Sequence, residues 1–235
     1  MTAAQCLPFA QGRRLRVTKL DNCGNPELGD PCGMVVSKGF VQVSVSSEVV
    51  NGTTIEPLNA SGELCYQVRS PDQFARHTLQ IDFCEVDPTL MSMVANANQV
   101  VDWEDTVVGF QTVQGAPDFG YALEIWMGVP GVDCPAQGDN PVDSLGYVLF
   151  PFVIPGALGD FTIANDAVTF SVSGFTQGNG NWLQGPYDIV AIGADNAPGP
   201  LIEALPSDVH AHLQWTSIPA PDEFCGCLEI SDSGS

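Results

Sequence analysis

Gly39-Phe40-Val41-Gln42-Val43-Ser44-Val45-Ser46 and His77-Thr78-Leu79-Gln80-Ile81-Asp82-Phe83-Cys84 are the stretches whose reading decides the fold class. In the first, Val41, Val43 and Val45 share one side while Gln42, Ser44 and Ser46 share the other. In the second, Leu79, Ile81 and Phe83 oppose Gln80 and Asp82. Side chains of an extended chain alternate between two faces, so a period of two predicts strands with one face in a core and one in water. Outward from these, residues 120–126 set Tyr121, Leu123 and Ile125 against Ala122, Glu124 and Trp126. Residues 146–154 are nearly all apolar, which predicts a strand buried on both faces. Residues 158–174 read as a hairpin. Phe161 and Ile163 lead into Ala164-Asn165-Asp166-Ala167, and Val168, Phe170 and Val172 then alternate with Thr169, Ser171 and Ser173. Asn and Asp accept the left-handed conformations that such turns need. Two last strands are expected at 188–192 and 209–217.

One helix is expected, from Pro88 to about Asn96. Asp87 supplies an N-cap acceptor, Pro88 suits the first helical position, and Leu90, Met91, Met93 and Val94 form an apolar face. Long loops rich in turn residues are expected at 21–33, 128–143, 176–186 and 196–208, the kind of loop that serves binding or assembly. No internal repeat or linker divides the chain. The expectation is therefore a single mainly β domain over 1–235, sandwich- or barrel-like, with one short flanking helix and long loops. Residues 1–12 read as an N-terminal arm and 219–235 as a flexible C-terminal tail.

Charge is segregated. All 7 lysines and arginines lie at or before Arg76, whereas most of the 28 acids lie beyond it, and the net charge is −21. Such a chain cannot hold DNA by neutralising phosphates, which is the source of most non-specific nucleic-acid affinity. It suits solubility at high concentration or a surface that repels nucleic acid. The basic cluster Arg13, Arg14, Arg16 and Lys19 is then expected to pair with acids of the same or a neighbouring subunit. Subunits charged oppositely at two ends associate head to tail, into rings or filaments.

Residues 1–10 have no apolar core of the kind an export signal carries, so synthesis and residence in a cytosol are expected. No apolar run is long enough to span a bilayer, and no membrane partner is expected. On that footing the 8 cysteines should be mostly buried free thiols, with a disulfide open to a chain that matures outside a cell. Catalytic chemistry is thin. There is no nucleophile elbow and no phosphate-binding loop. His210 and His212 with Cys225 and Cys227 are the nearest thing to a zinc set, but Cys-Gly-Cys is an atypical spacing. Asp102, Glu104 and Asp105 around Trp103 lack the spacing of a calcium loop. No catalytic residue, cofactor or metal is expected.

Several stretches together carry a resemblance. They are residues 12–26 (Gly-Arg-Arg-Leu-Arg-Val-Thr-Lys-Leu-Asp-Asn-Cys-Gly-Asn-Pro), 81–88 (Ile-Asp-Phe-Cys-Glu-Val-Asp-Pro) with the helix that follows, 158–163, 185–188 and 197–201. The chain resembles, through these, the major tail proteins of long-tailed bacteriophages infecting actinobacteria. The resemblance implies a tail-tube fold, closure of six copies into a ring whose inner sheets join, and stacking of rings into the tube that conducts the genome. It implies a virion (tail) location after assembly in the host bacterial cytoplasm. The implied partners are further copies of the chain and other tail proteins (tape measure, terminator, distal tail), with DNA only as cargo that does not stick. Thr169, Ser171 and Ser173 become candidate lumen-facing residues, and Arg13, Arg14, Arg16 and Lys19 candidate inter-subunit contacts. Two alternatives stand beside it. One is another virion structural protein, such as a capsid decoration, tail terminator or minor tail protein. The other is a secreted β-sandwich binding module using Trp103, Trp126, Trp182 and Trp215, which oxidised cysteine pairs would favour.

Overall fold

The structure, a computed structural model, describes residues 10–128, 145–163, 168–192 and 197–230. The chain runs β1 (Ala10–Leu20), β2 (Met34–Ser37), β3 (Phe40–Val50), β4 (Thr54–Ile55), β5 (Val68–Arg69) and β6 (Gln73–Phe83). The helix α1 (Pro88–Val94) follows, then β7 (Ala97–Val101), β8 (Val107–Thr112), β9 (Gly120–Gly128), β10 (Leu145–Leu158) and β11 (Phe170–Thr176). It closes with β12 (Val190–Ile192), β13 (Ala197–Gly199), β14 (His212–Thr216) and β15 (Phe224–Leu228). The protein is mainly β, sandwich-like, with one short helix among the described residues.

The principal sheet has the order β15-β2-β1-β9-β10-β11-β6-β3. It forks along β10. The first half of β10 pairs with β14 (Leu145↔Thr216 through Leu149↔His212), and its second half pairs with β11 (Val153↔Thr176 through Leu158↔Val172). The pairs β4–β5, β7–β8 and β12–β13 form separate two-stranded sheets.

The central strands are covered on both faces. On one face Leu15, Val17, Leu123, Ile125 and Phe150 meet Leu79, Ile81, Phe83 and Val172, with Leu90, Met91, Met93 and Val94 of α1 packed among them. On the other, Ala122, Trp126, Tyr147, Leu149 and Phe152 are covered by Trp182, Tyr187, Ile189 and Leu201 from the loop region between β11 and β14. Residues 120–126, which alternate in sequence, are therefore buried on both sides rather than one. The expected helix forms and ends slightly early. The Asp87 carboxylate accepts the Thr89 N–H at 2.8 Å, Pro88 opens the first turn, and the chain turns left-handed at Asn96 (φ 47).

Three expectations need correction. The valine face of β3 is only partly buried: Val43 packs against the core, but Val41, the extra residue where the register with β6 shifts, is 60% exposed and Val45 is 47% exposed. Residues 219–230, the described part of the expected 219–235 tail, do not hang free. Phe224–Leu228 pair with β2, Cys227 is disulfide-bonded to Cys32, and Ile230 is buried against Gly33. Residues 10–12 of the expected N-terminal arm belong to β1. The hairpin of 158–174 exists as β10–β11, but Phe161 and Ile163 lie outside both strands, and its turn, 164–167, lies outside the described residues. So does most of the expected 128–143 loop.

Candidate assembly surface

Three strands build one polar surface. Register aligns Gln42 with Asp82 and Ser171, and Ser44 with Gln80 and Ser173, across β3, β6 and β11. The core-facing rows between them are Val43, Ile81 and Val172, then Val45, Leu79 and Gly174. Asp82 ties the polar row together: it accepts from Ser171 Oγ at 2.5 Å and from Gln42 Nε2 at 2.6 Å. These bonds hold its carboxyl below the usual carboxylate range, Ser171 contributing most. Thr169 and Ser173 are exposed and Ser171 is half-buried, so all three lumen candidates lie at or near this surface. Thr169 precedes β11 rather than belonging to it. The surface is not free of bases. Arg76 stands at its far end, paired with Glu48 at 2.8 Å and stacked 4.7 Å from the Phe175 ring centroid.

Beyond Arg76 the β3–β6 ribbon continues as an arm that the sequence analysis missed. Its outer part includes β4 and β5, and no residue from 44 to 76 is buried. Val45, Val49, Val50, Ile55, Leu58, Leu64, Tyr66, Val68 and Phe74 are all exposed on it. Nine exposed large apolar side chains on one ribbon are more than the scattered single residues of an ordinary surface and mark a segment made to be covered. The signal in the sequence was the apolar spacing Val41, Val43, Val45, Ile55, Leu58, Leu64 with no compensating partner face. Periodicity alone does not tell a buried apolar face from an exposed one.

The base of the arm is clamped to the body. The Phe74 ring sits between His77 and His210, at centroid distances of 4.8 and 5.0 Å. Thr176 Oγ1 accepts the His77 backbone N–H at 2.9 Å and lies 2.8 Å from His210 Nδ1. Burial, then the neighbouring His77, hold His210 below its ordinary value, and Asp208 opposes them.

The basic cluster does not stay together. Arg16 is buried inside the subunit, and its guanidinium meets Glu124 at 2.5 and 2.6 Å. The same guanidinium lies 3.4 Å from the Tyr187 ring centroid, and Tyr147 donates to Glu124 at 2.6 Å. Arg16 is thus withdrawn from the candidate inter-subunit contacts, because β1 turns it inward onto the second core. Lys19 bridges Glu27 at 2.8 Å and Asp30 at 2.9 Å within the chain. Arg13 is exposed and Arg14 half-exposed.

The zinc set does not assemble. Cys227 is spent in the disulfide, His210 meets Thr176, and His212 Nε2 lies 3.0 Å from Gln214 Oε1. Among the described residues no group of three or more potential metal ligands lies together. Asp102 organises the β7–β8 loop, accepting from the backbones of Glu104 and Thr106 at 2.9 and 3.0 Å. The free cysteines among the described residues, Cys23, Cys65, Cys84 and Cys225, are exposed rather than buried as expected. They sit in loops, at a strand end and on an edge strand, none of which the core covers.

No family model matches the chain, and no curated protein matches it either.

Proposed function

We propose that the protein is the subunit of a self-assembling tube, with the polar β3–β6–β11 surface facing a passage for nucleic acid. The observation that carries this reading is the arm: a ribbon over residues 44–76 in which no residue is buried and nine large apolar side chains are exposed. Burying one such side chain is worth about 1.5–3 kcal/mol, so association with further copies of the chain has ample driving force. The arm reaches out of the sheet edge and the acids beyond Arg76 leave the rest of the surface anionic, which suits a wall that DNA does not adhere to. The phage tail-tube resemblance points the same way, and on it the protein is structural rather than catalytic and acts in the virion tail.

The test is negative-stain microscopy of the purified full chain beside a variant with residues 51–72 replaced by Asn-Gly. That dipeptide closes a two-residue hairpin, and the removed segment contains no buried residue. The expected result is stacked rings or hollow filaments from the full chain and folded monomers from the variant. Monomers from both at high concentration, or tubes from both, would overturn it.

An exported β-sandwich binding module is the second reading, favoured by one observation, the Cys32–Cys227 disulfide. Its aromatic platform fares worse. Trp126 and Trp182 are buried in the second core and only Trp103, 88% exposed, stands fully in solvent.

A further inference from the structure

Cys227 is bonded to Cys32 across 195 positions of sequence, with the two Cα atoms 4.8 Å apart. The bond pins the edge strand β15 to the turn that precedes β2. Without it β15 has modest support. Its register pairs with β2 are Phe224↔Val36 and Leu228↔Met34, with the ladder interrupted between them. In that interruption Gly226 takes φ 94, a conformation for which glycine is suited, and its N–H donates to Asp87 Oδ2 at 2.7 Å. A third sulfur stands there too: Cys225 is a free, exposed thiol. Cys225, Gly226 and Cys227 all line one groove of about 490 Å³, opposite Glu85, Asp87 and Thr89. The free Cys225 and one half of the disulfide, Cys227, thus line the same groove with one glycine between them.

We propose that Cys225 is the exchange thiol of the Cys32–Cys227 bond, which makes Cys225-Gly226-Cys227 a latch on the sheet edge. The Cys225 thiolate attacks Cys227 Sγ. A Cys225–Cys227 bond forms and the Cys32–Cys227 bond breaks. The electron pair of the broken bond leaves on Cys32 Sγ, which takes up the proton that Cys225 released. One disulfide and one thiol stand on each side of the step, so no oxidant or reductant is consumed. Exchange runs through the thiolate, so its rate rises with pH. In the exchanged state β15 keeps the Lys38–Glu223 pair at 2.6 Å and the Gly33 N–H to Leu228 carbonyl bond at 3.0 Å, but loses its covalent tie. Strand β2 then has a neighbour that can be drawn aside, and an uncovered edge strand is a site for pairing with another chain. The inference stands on the placement of Cys225 beside Cys227 on one groove and does not depend on the tube reading.

The experiment incubates the oxidised full chain without reductant at pH 6 and at pH 8.5, then labels with N-ethylmaleimide at pH 6 and maps peptides by mass spectrometry. Expected is a fraction carrying label on Cys32 together with a Cys225–Cys227 link, larger after pH 8.5. In Cys225→Ser, Cys32 labelling should fall at least about tenfold, since the attacking thiolate is gone. Wild-type protein whose exposed thiols are alkylated before incubation should show the same loss, which covers a variant that folds poorly. Cys32 that stays unlabelled in wild type, or labels equally in Cys225→Ser and in the pre-alkylated protein, would overturn the proposal.

Discussion

Arg16 and Glu124 stand out at the scale of single residues. Glu124 is fully buried and Arg16 6% exposed, and they meet in a two-pronged ion pair on the aromatic second core. A charge left alone in such a place is expensive, about 3–5 kcal/mol when one partner of a buried pair is removed. Glu124→Gln should therefore lower the unfolding free energy by about that amount, measured by urea denaturation. The double variant Arg16→Met, Glu124→Leu should recover most of it, because no charge is then stranded. A loss under about 1 kcal/mol in Glu124→Gln would show that water reaches the guanidinium. Tyr147, which donates to Glu124, has its hydroxyl proton held well above the usual phenol range, first by burial and then by the carboxylate.

At the scale of elements, the β3–β6 ribbon joins the body through the His77–Phe74–His210 stack. Groups facing the His210 ring include His77 from β6 and Asp208 from its own loop, with Thr176 of β11 in contact. The folded state lowers the affinity of His210 for a proton, so it favours the neutral ring. The stabilisation is then fully present above the unfolded value of about 6.5 and is lost as pH falls from there toward the lowered folded value. Acidification from pH 7.5 to 5.5 should lower the amide protection factors of residues 73–77, taken against the intrinsic exchange rate at each pH, and His210→Asn should remove that dependence. Equal pH dependence in the variant would place the titrating group elsewhere. The same ribbon explains why an edge strand of regular alternation is exposed: alternation fixes which side chains share a face, and the neighbouring element decides whether that face is covered.

At the scale of the whole molecule, charge and shape are arranged separately. The described cations are mostly engaged within the subunit: Arg16 with Glu124, Lys19 with Glu27 and Asp30, Lys38 with Glu223, Arg69 with Asp72, Arg76 with Glu48. That leaves the surplus acids to set the outer field. The candidate passage wall can be tested by adding charge where the fold tolerates it. Thr169 and Ser173 are exposed, so lysine at both should leave the subunit folded, whereas lysine at Ser171 would break its bond to Asp82. If the surface lines a passage, tubes of Thr169→Lys, Ser173→Lys protein should retain DNA in a salt-sensitive way that wild-type tubes do not, read by co-sedimentation at low and high salt. Unchanged DNA retention would place these residues away from the passage.

The amino-acid sequence by itself determined the class and much of the local structure. The alternation of residues 77–83, the apolar run of 146–154 and the Asp87-Pro88 helix start are local patterns, and each reports a conformation that the chain adopts from short-range sterics and burial. Charge segregation is equally plain in the sequence. What only the tertiary structure decided are the contacts between distant positions. Arg16 finds Glu124 at a separation of 108, and Cys32 finds Cys227 at a separation of 195. One signal was present in each case, an isolated acid in an apolar strand and an even cysteine count, but neither names its partner. The exposure of the β3 valines was hidden for the same reason. A strand carries its own period in its sequence, whereas its place at the edge or centre of a sheet depends on which other strands the chain brings beside it.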